Sequence, residues 1–360
     1  MYQFDIDKQT ITIEGKTYNS ASFQNGNTLD FVSKSDFHCQ LFLFLKEWFS
    51  DSPTLIVKTS GSTGTPKEMV VEKERMMQSA NLTCSFLQLQ KEDTALLCMP
   101  LEYIAGKMMV VRSLIAGLNL YTVKPSGNPL KELDIVFDFA AMIPLQVYNT
   151  LRSDVGILRL EQIKNLIIGG GSIDKELEEK LKDFPNPIYS TYGMTETLSH
   201  IALRQINGKN SSLNYRTFNS VEVCLSEEKT LIINAPLVNK DTLYTNDVAE
   251  IYCDGTFRII GRKDNIINSG GVKIQIEEIE SLLKPYIKND FAITSLPDSK
   301  FGEIIVLLIQ EHINLLEISN HLPHYYIPKK VFVVKEIPIT KTGKKNRIEI
   351  KKLALKVNSK

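Results

Sequence analysis

The sequence predicts an α/β protein with a large N-terminal domain and a smaller α+β C-terminal domain. In the first half of the chain, short apolar runs such as 94–99 are followed by helical patterns such as 104–116. This alternation is typical of a mostly parallel sheet covered by helices. Beyond residue 210, alternating strands around Asp254-Gly255 indicate a small antiparallel β subdomain. We therefore predict an N-terminal domain over 1–263 and a C-terminal domain over 264–360.

The elements of the N-terminal domain are predicted from the spacing of apolar residues and from the prolines and glycines that end helices and strands. Apolar residues recur every three to four positions in the helices, Pro100 stops one strand and Gly117 closes one helix. The predicted elements are a hairpin near 10–18, a helix over 37–49, a strand ending at 57, a helix over 75–87, a strand over 94–99, a helix over 104–116, strands over 118–123 and 134–140, a helix opening at Pro144, a strand over 165–168, a helix capped by Ser172 and ending at Lys182, and a strand over 188–190.

Beyond residue 210, the regular alternation of strands and helices gives way to runs of strands followed by helices. They are predicted as strands over 221–225, 230–234, 249–251 and 256–260, a helix over 276–283, strands over 291–294 and 304–310, and another helix with a basic tail. We interpret the Lys-rich tail as a solvated surface.

Composition excludes several classes of protein. The 360 residues include 42 basic and 42 acidic residues, so the formal net charge of zero favours neither nucleic acid nor an anionic membrane. The N-terminus lacks the pattern of a signal peptide, and no apolar run is long enough to span a bilayer. The five cysteines are scattered and form no CxxC pair. We expect a cytoplasmic protein with reduced thiols and no membrane insertion.

A Gly-rich loop over 58–67 is the first candidate for chemistry. It contains two glycines, five hydroxyls and two lysines between two apolar, strand-like runs. Glycine lets backbone N–H groups approach an anion, and hydroxyls and lysine add donors and charge, so the loop suits a polyphosphate. It is not a Walker A motif, because Pro66 precedes Lys67 and no helix follows. The alternative is a flexible Ser/Gly linker.

A second candidate, 190–197, follows a predicted buried strand. It therefore lies at the carboxyl edge of the sheet, where open α/β sheets bind ligands. Thr195 can donate to a phosphate oxygen, Glu196 can bind Mg²⁺ as a hard oxygen ligand, and Tyr192 offers a face on which a base can stack. The alternative is a polar turn.

A third candidate combines Asp247 with Arg262. A carboxylate can accept hydrogen bonds from both hydroxyls of a ribose, and a neighbouring guanidinium can donate to the same hydroxyls. The alternative is a turn with a surface ion pair.

Four segments together resemble the acyl-adenylate-forming superfamily. The Gly-rich loop resembles its phosphate loop, 192–196 matches its YGxTE motif, and 244–247 resembles its YxTGD motif with Asn246 in place of glycine. Residues 338–347 match its C-terminal P-x-T-x-x-G-K-x-x-R motif, which selects Lys344 among neighbouring lysines. The phosphate loop begins after only about sixty residues, so the resemblance also implies a missing or shortened N-terminal subdomain.

The resemblance implies a two-step reaction with ATP, Mg²⁺ and coenzyme A, and it assigns roles to individual residues. It makes Lys344, Thr195 and Glu196 catalytic, with Glu196 also binding the metal, and Asp264 the hinge of a mobile C-terminal domain. Its nucleotide and coenzyme A contacts are Thr59, Ser60, Gly61, Ser62, Thr63, Gly64, Lys67, Gly169, Gly170, Gly171, Thr191, Tyr192, Gly193, Asp247, Arg262, Gly270 and Gly271.

The acyl site is indicated by 100–106, which resembles the family's PLFHxxG segment with Tyr103 in place of histidine. The helix that follows is apolar nearly all round and should be buried, yet it contains Arg112. A buried arginine needs an anionic partner. That partner is either a protein carboxylate or a second carboxylate on the substrate.

The position of Arg112 six residues after Gly106, together with 140–146 and 194–200, looks most like the o-succinylbenzoate–CoA ligases of menaquinone biosynthesis. This resemblance implies an aromatic dicarboxylic acid as substrate, with Tyr103, Arg112 and Ser199 around it and His200 nearby. The alternatives are a ligase for another aryl or fatty acid, and a nucleotide-binding module without catalysis.

Overall fold

A computed structural model describes residues 5–24, 32–58, 68–313, 318–340 and 344–359. Some predicted site residues therefore lie outside the described residues, namely Thr59, Ser60, Gly61, Ser62, Thr63, Gly64 and Lys67. The flanking strand and the strand after the loop, both predicted from sequence, are present at Thr54–Lys58 and Glu68–Glu72.

Helices and strands alternate along the described chain. The helices are α1 (Ser20–Gln24), α2 (Asp36–Trp48), α3 (Lys73–Leu87), α4 (Ile104–Ala116), α5 (Pro144–Thr150), α6 (Asp154–Glu161), α7 (Lys175–Leu181), α8 (Ile276–Leu283) and α9 (Arg347–Asn358). The strands are β1 (Thr10–Ile13), β2 (Lys16–Asn19), β3 (Thr54–Lys58), β4 (Glu68–Glu72), β5 (Thr94–Leu97), β6 (Asn119–Thr122), β7 (Phe139–Met142), β8 (Asn165–Ile168), β9 (Ile188–Gly193), β10 (His200–Gln205), β11 (Arg216–Thr217), β12 (Glu222–Leu225), β13 (Thr230–Asn234), β14 (Leu243–Ile251), β15 (Phe257–Arg262), β16 (Ile266–Ser269), β17 (Val272–Gln275), β18 (Phe291–Asp298), β19 (Gly302–Ile309) and β20 (Lys330–Val333).

The described residues divide into two compact units. The first contains those up to 58, 68–223 and 233–243, and the second contains 224–232 and those from 244 onward. Contacts thus group β14 and β15 with the C-terminal residues. The domain boundary predicted from sequence, 263/264, marks the hinge about which the C-terminal domain would rotate. A division by contacts does not test a hinge, so that boundary stays a prediction.

The first unit contains the main sheet. Its nine described strands run in the order β11-β10-β9-β8-β7-β5-β6-β1-β2. The inner strands from β9 to β1 pair in parallel, whereas β2, β10 and β11 are antiparallel. The prediction of a mostly parallel sheet is confirmed. The sequence did not predict that β1 joins it beside β6, more than a hundred residues away.

Several local predictions are corrected. The strand expected over 134–140 begins at Phe139, which pairs with Ala95 near the start of β5 and with Asn165 at the start of β8. Just before it, Asp138 accepts from the Thr94 amide and hydroxyl at 2.7 Å. Helix α7 is capped by Asp174, whose carboxylate accepts from the Leu177 amide at 2.9 Å, and not by Ser172. The Lys-rich tail forms α9, which buries Ile350 and Ala354, so only part of it is a solvated surface.

The second unit contains a five-stranded sheet of β17, β16, β19, β18 and β20 among its described residues. Alternate residues of β18 and β19 enter two different cores. Ile293 and Leu307 pack in the cluster that includes Ile279 of α8, whereas neighbouring residues pack with Ile350 of α9. Each face of this sheet therefore buries its own helix.

Strands β12 to β15 form a four-stranded sheet in sequence order, with Asp254 and Gly255 in the turn between β14 and β15. The predicted antiparallel hairpin at this turn is confirmed. None of the described helices combines the length and the hydropathy that a membrane crossing requires.

The core of the first unit gives a direct stability prediction. Leu96 lies in β5 and is fully buried, so Leu96→Ala should lower the free energy of unfolding by about 2–5 kcal/mol through lost transfer energy and a residual cavity. Denaturant unfolding can be followed by the fluorescence of Trp48, the single and fully buried tryptophan. Leu158→Ala, at a 59% exposed position, is the matched control and should change stability little. Equal losses in the two variants would contradict the assigned core.

Candidate active site

The glycine triplet 169–171 lies where β8 ends, against the neighbouring strand β9. A Cβ on Gly169 would overlap the Oγ1 of Thr191, so this position needs glycine for the close approach of the two strands. Gly170 has φ +77°, a left-handed conformation that also favours glycine. The structure thus places two predicted nucleotide-binding segments side by side at the carboxyl edge of the sheet.

Tyr192 belongs to the end of β9 and is half-buried. Its ring centroid lies 5.9 Å from that of Tyr215, whose hydroxyl is 2.8 Å from Ser190 Oγ. The guanidinium of Arg204 lies over the Tyr215 ring, 5.6 Å from its centroid, and also forms an ion pair with Glu178. Tyr192 therefore has a packed neighbour that sequence reasoning did not identify.

The 3₁₀ turn Thr195–Thr197 follows β9 and orients the next two candidates. Thr197 Oγ1 accepts from the Met194 amide at 2.9 Å and donates to the Ser199 carbonyl, which fixes the turn internally. Glu196 is exposed, and its backbone carbonyl accepts from Asn239 Nδ2 at 2.9 Å. Its carboxylate forms no ion pair with any cation of the described residues.

The described residues contain no cluster of three or more His, Cys, Asp or Glu suited to a metal. A single exposed carboxylate such as that of Glu196 fits Mg²⁺, which often binds one or two carboxylates together with substrate phosphates. The binding of a metal by Glu196 stays a prediction.

Arg112 is buried in α4, as the apolar character of that helix predicted, with 2% of its surface exposed. Its Nη2 donates to Ser199 Oγ at 2.6 Å, and its Nη1 lies 3.7 Å from Met109 Sδ. Its Nε has no hydrogen-bond partner, and no carboxylate of the described residues pairs with the guanidinium. Burial lowers the pKa of Arg112 to about 10, so the group stays positively charged at neutral pH. Within the described chain this buried cation has no counter-ion.

A hydrogen-bond chain extends from Arg112 through Ser199 to His200 and Thr83. Thr83 Oγ1 donates to the Ser79 carbonyl at 3.3 Å, so it accepts from His200 Nε2 at 3.1 Å. The other ring nitrogen, Nδ1, then accepts from Ser199 Oγ at 3.3 Å. Burial, reinforced by Arg112, holds the pKa of His200 well below its ordinary value, so the imidazole is neutral. Thr83 was missed by sequence reasoning, because nothing in the pattern of α3 marks it.

Tyr103 lies at the N-cap of α4 and is half-buried. Its backbone forms a parallel bridge with Lys58. No described hydrogen bond joins its side chain to Arg112, so its place beside the substrate stays a prediction.

The second unit brings together the ribose candidates. Asp247 and Arg262 are paired across β14 and β15, with Arg262 Nη1 3.3 Å from Asp247 Oδ1. Arg262 Nη2 also donates to Asp264 at 2.9 Å, and Asn246 Nδ2 lies 3.2 Å from both oxygens of the same carboxylate. The Asn246 that departs from the family motif thus hydrogen-bonds to the predicted hinge residue.

Lys344 lies in the same charged cluster of the second unit. Burial lowers the pKa of its ammonium; Arg262 acts in the same direction, and Asp247 opposes it. Its backbone is fixed by Thr340, whose amide donates to the Lys344 carbonyl at 2.7 Å and whose Oγ1 accepts from the Lys344 amide at 3.1 Å. The candidate catalytic lysine and both ribose candidates therefore converge within one unit.

Gly270 and Gly271 form the turn between β16 and β17, with φ of +59° and +82°. Gly270 donates its amide to the Phe301 carbonyl at 2.9 Å, and a Cβ there would approach the Phe301 ring. These glycines are required by the turn itself, and their predicted contact with coenzyme A stays a prediction.

Curated relatives are similar along most of the chain. The 2-succinylbenzoate–CoA ligase of Staphylococcus epidermidis is 26% identical, in a match that covers 95% of this chain and 77% of the relative. The 2-succinylbenzoate–CoA ligase of Listeria monocytogenes is 24% identical over 343 residues, with coverage of 85% and 71%.

Solved structures share the fold. An acyl-CoA synthetase (AMP-forming)/AMP-acid ligase II-like protein from Dyadobacter fermentans is 31% identical, has a TM-score of 0.63, and is matched over 93% of this chain and 98% of its own. The o-succinylbenzoate CoA synthetase of Bacillus subtilis, in complex with the acyl-adenylate intermediate, has a TM-score of 0.69 at 21% identity, with coverage of 82% and 68%. At that identity the likeness shows the fold alone. The model of the AMP-binding enzyme family matches residues 7–235, and the chain belongs to that family.

Proposed function

We propose that the protein is an AMP-forming acid–thiol ligase that joins o-succinylbenzoate to coenzyme A in the cytoplasm. The observation that carries the choice of acid is the buried guanidinium of Arg112, which pairs with no carboxylate of the described residues. A dicarboxylic substrate would supply the missing anion while its other carboxylate reacts. The names of the curated relatives agree with this substrate class.

In the first step, a substrate carboxylate oxygen attacks the α-phosphorus of ATP, and pyrophosphate leaves with formation of an acyl-adenylate. Lys344 and Thr195 offset the charge that develops on the phosphoryl oxygens, together with the loop residues of 59–67. Glu196 would bind Mg²⁺, which neutralises phosphate charge when present. Asp247 and Arg262 bind the ribose, and Tyr192 with the glycine triplet 169–171 borders the adenine.

In the second step, the coenzyme A thiol attacks the acyl carbon and AMP leaves. The C-terminal domain, 264–360, turns about Asp264 between the two steps, which removes Lys344 and admits the thiol past Gly270 and Gly271. A single site used in two arrangements is a domain-closure mechanism.

Two other functions compete with this one. A ligase for another aryl or fatty acid would use the same phosphate chemistry with a different acyl pocket. A nucleotide-binding module would bind ATP without reaction, although it would have no need of Lys344, Thr195 and Glu196 together.

Pyrophosphate release distinguishes the three functions. The assay compares o-succinylbenzoate, benzoate and medium-chain fatty acids at equal concentration, with and without coenzyme A. Our proposal predicts acid-dependent release that is largest for o-succinylbenzoate. A preference for one of the other acids would show that the protein is a ligase for that acid. Nucleotide binding without pyrophosphate release for any acid would favour the nucleotide-binding module.

The first mutational prediction concerns the second carboxylate. Arg112→Gln should raise the KM for o-succinylbenzoate about 10- to 100-fold, because a charge-assisted hydrogen bond to a buried anion is lost. The KM for a monocarboxylic analogue should change far less. Steady-state pyrophosphate release measures both values, and Arg152→Gln, at an exposed position, is the control. Equal effects on the two acids would remove the role assigned to Arg112.

The second mutational prediction separates the two steps. Lys344→Ala should slow acid-dependent adenylation by about 10²- to 10³-fold, because a cation that stabilises the transition state is removed. Thioester formation from supplied acyl-adenylate should be nearly unchanged. Single-turnover assays of each step provide the comparison, with Lys352→Ala as an exposed control on α9. The role of Lys344 is wrong if both steps slow equally.

A further inference from the structure

The chain around Lys344 pairs in antiparallel fashion with the residues around Ile339. The Asn346 amide donates to the Pro338 carbonyl at 2.9 Å, and Ile339 bridges Lys345 in antiparallel register. Successive side chains of an extended segment point to opposite sides. The neighbouring side chains of Lys344 and Lys345 therefore diverge. The charges that act on the Lys344 ammonium are those of Arg262 and Asp247, whereas Glu280 has the largest influence among the charges that act on Lys345.

The opposite side of the segment is fixed by Glu280 of α8. Arg347 donates to both Glu280 oxygens, at 2.7 Å and 3.0 Å, and Lys345 Nζ lies 2.9 Å from Oε2. The Glu280 side chain is only 12% exposed and also accepts from the Ile293 amide at 2.9 Å. The Lys345 ammonium lies 4.7 Å from the centroid of Phe291.

This arrangement attaches the two residues on either side of Asn346 to a single carboxylate. A bidentate arginine–carboxylate pair has a defined geometry, and a second cation on the same carboxylate restricts the backbone between them. Removing the carboxylate would leave two partly buried cations without their shared partner, and they would move toward water. Lys344 precedes Lys345 directly, so such a movement would displace it.

We propose that Glu280 is a positioning residue for Lys344: by binding Lys345 and Arg347 together, it holds the lysine segment, residues 344–347, so that Lys344 and not Lys345 is turned toward Asp247 and Arg262. The proposal rests on the proposed function of Lys344 in the adenylation step. It adds a residue on α8 that does not touch the reacting groups and acts through the geometry of the segment.

The test is the ratio of the two half-reactions in Glu280→Gln. Adenylation should slow about 100-fold, since a displacement of about 1 Å in a catalytic group has an effect of that order. The KM values for ATP and acid should stay within about threefold of wild type, because binding contacts are retained. Thioester formation from supplied acyl-adenylate should be unchanged, and Glu280→Asp, which retains the charge, should keep more adenylation than Glu280→Gln.

Glu278→Gln is the matched control. It makes the same chemical change on the same helix, but Glu278 is exposed and accepts from Tyr326 Oη at 2.7 Å instead of the lysine segment. Both half-reactions should match wild type in this variant. An adenylation defect in Glu278→Gln as large as that in Glu280→Gln would overturn the specific role of Glu280.

A milder variant guards against failure of Glu280→Gln to fold. Lys345→Met removes one of the two cations and leaves the pair of Glu280 with Arg347 intact. It should slow adenylation about tenfold, as a smaller displacement of Lys344, and leave thioester formation unchanged. Adenylation at the wild-type rate in Lys345→Met, or equal loss in both half-reactions in the folded Glu280→Gln protein, overturns the proposal.

The assays use whichever acid the wild type activates, so a wrong substrate and a wrong positioning residue give different results. A wild type that prefers another acid contradicts the proposed substrate, whereas the ratio between variants still tests Glu280. Amine-reactive labelling followed by peptide mapping needs no turnover. Lys345 should be labelled faster in Glu280→Gln than in wild type, with exposed Lys8 unchanged, and equal labelling of Lys345 would contradict the proposal.

Discussion

The parallel pairing of β7, β8 and β9 is the constraint on which the candidate site of the first unit depends. Parallel strands place their carboxyl ends at one edge, so the segments that follow β8 and β9 must share that edge. Strands β8 and β9 approach so closely that a side chain on Gly169 would overlap Thr191, and at the end of β9 a side chain on Gly193 would overlap the Ser199 carbonyl just before β10. The glycines, the hydroxyls and the turn after β9 therefore lie together at this edge of the sheet. The same turn places Ser199 within hydrogen-bond distance of Arg112.

Arg112 differs from the cations that pair with carboxylates in both units, such as Arg204 with Glu178 in the first unit. In the second unit, Arg347 and Lys345 share the carboxylate of Glu280, and Arg262 pairs with Asp247 and Asp264. In the first unit, Arg112 is more deeply buried, yet among the described residues it has a hydroxyl and a thioether as partners and no carboxylate. Burying a cation without an anion is unfavourable, so its retention calls for a ligand that supplies the charge. This contrast is the physical basis for assigning a dicarboxylic acid.

Sequence patterns predicted the elements whose signals are local. The all-round apolar character of α4 predicted the burial of Arg112, and Asp254-Gly255 predicted the hairpin between β14 and β15. Contacts between distant segments were missed, as in the pairing of β1 with β6, because an alternating strand does not specify its partner. Thr83 and Glu280 were missed for the same reason: a threonine and a glutamate on helices look ordinary until the fold brings His200 to the first and Arg347 to the second. The strand expected from residue 134 begins only at Phe139, because its neighbours β5 and β8 also begin near that level, a register that the local pattern does not specify.

The most direct test of the account follows oxygen atoms. o-Succinylbenzoate labelled with ¹⁸O in both carboxylates is converted with ATP, Mg²⁺ and coenzyme A, and the AMP, pyrophosphate and thioester are analysed by mass spectrometry. Attack of a carboxylate oxygen on the α-phosphorus predicts one labelled oxygen in each AMP, with the other three in the thioester product. Unlabelled AMP, or label in inorganic phosphate or pyrophosphate, would show that the acid is not activated as an adenylate and would contradict the account.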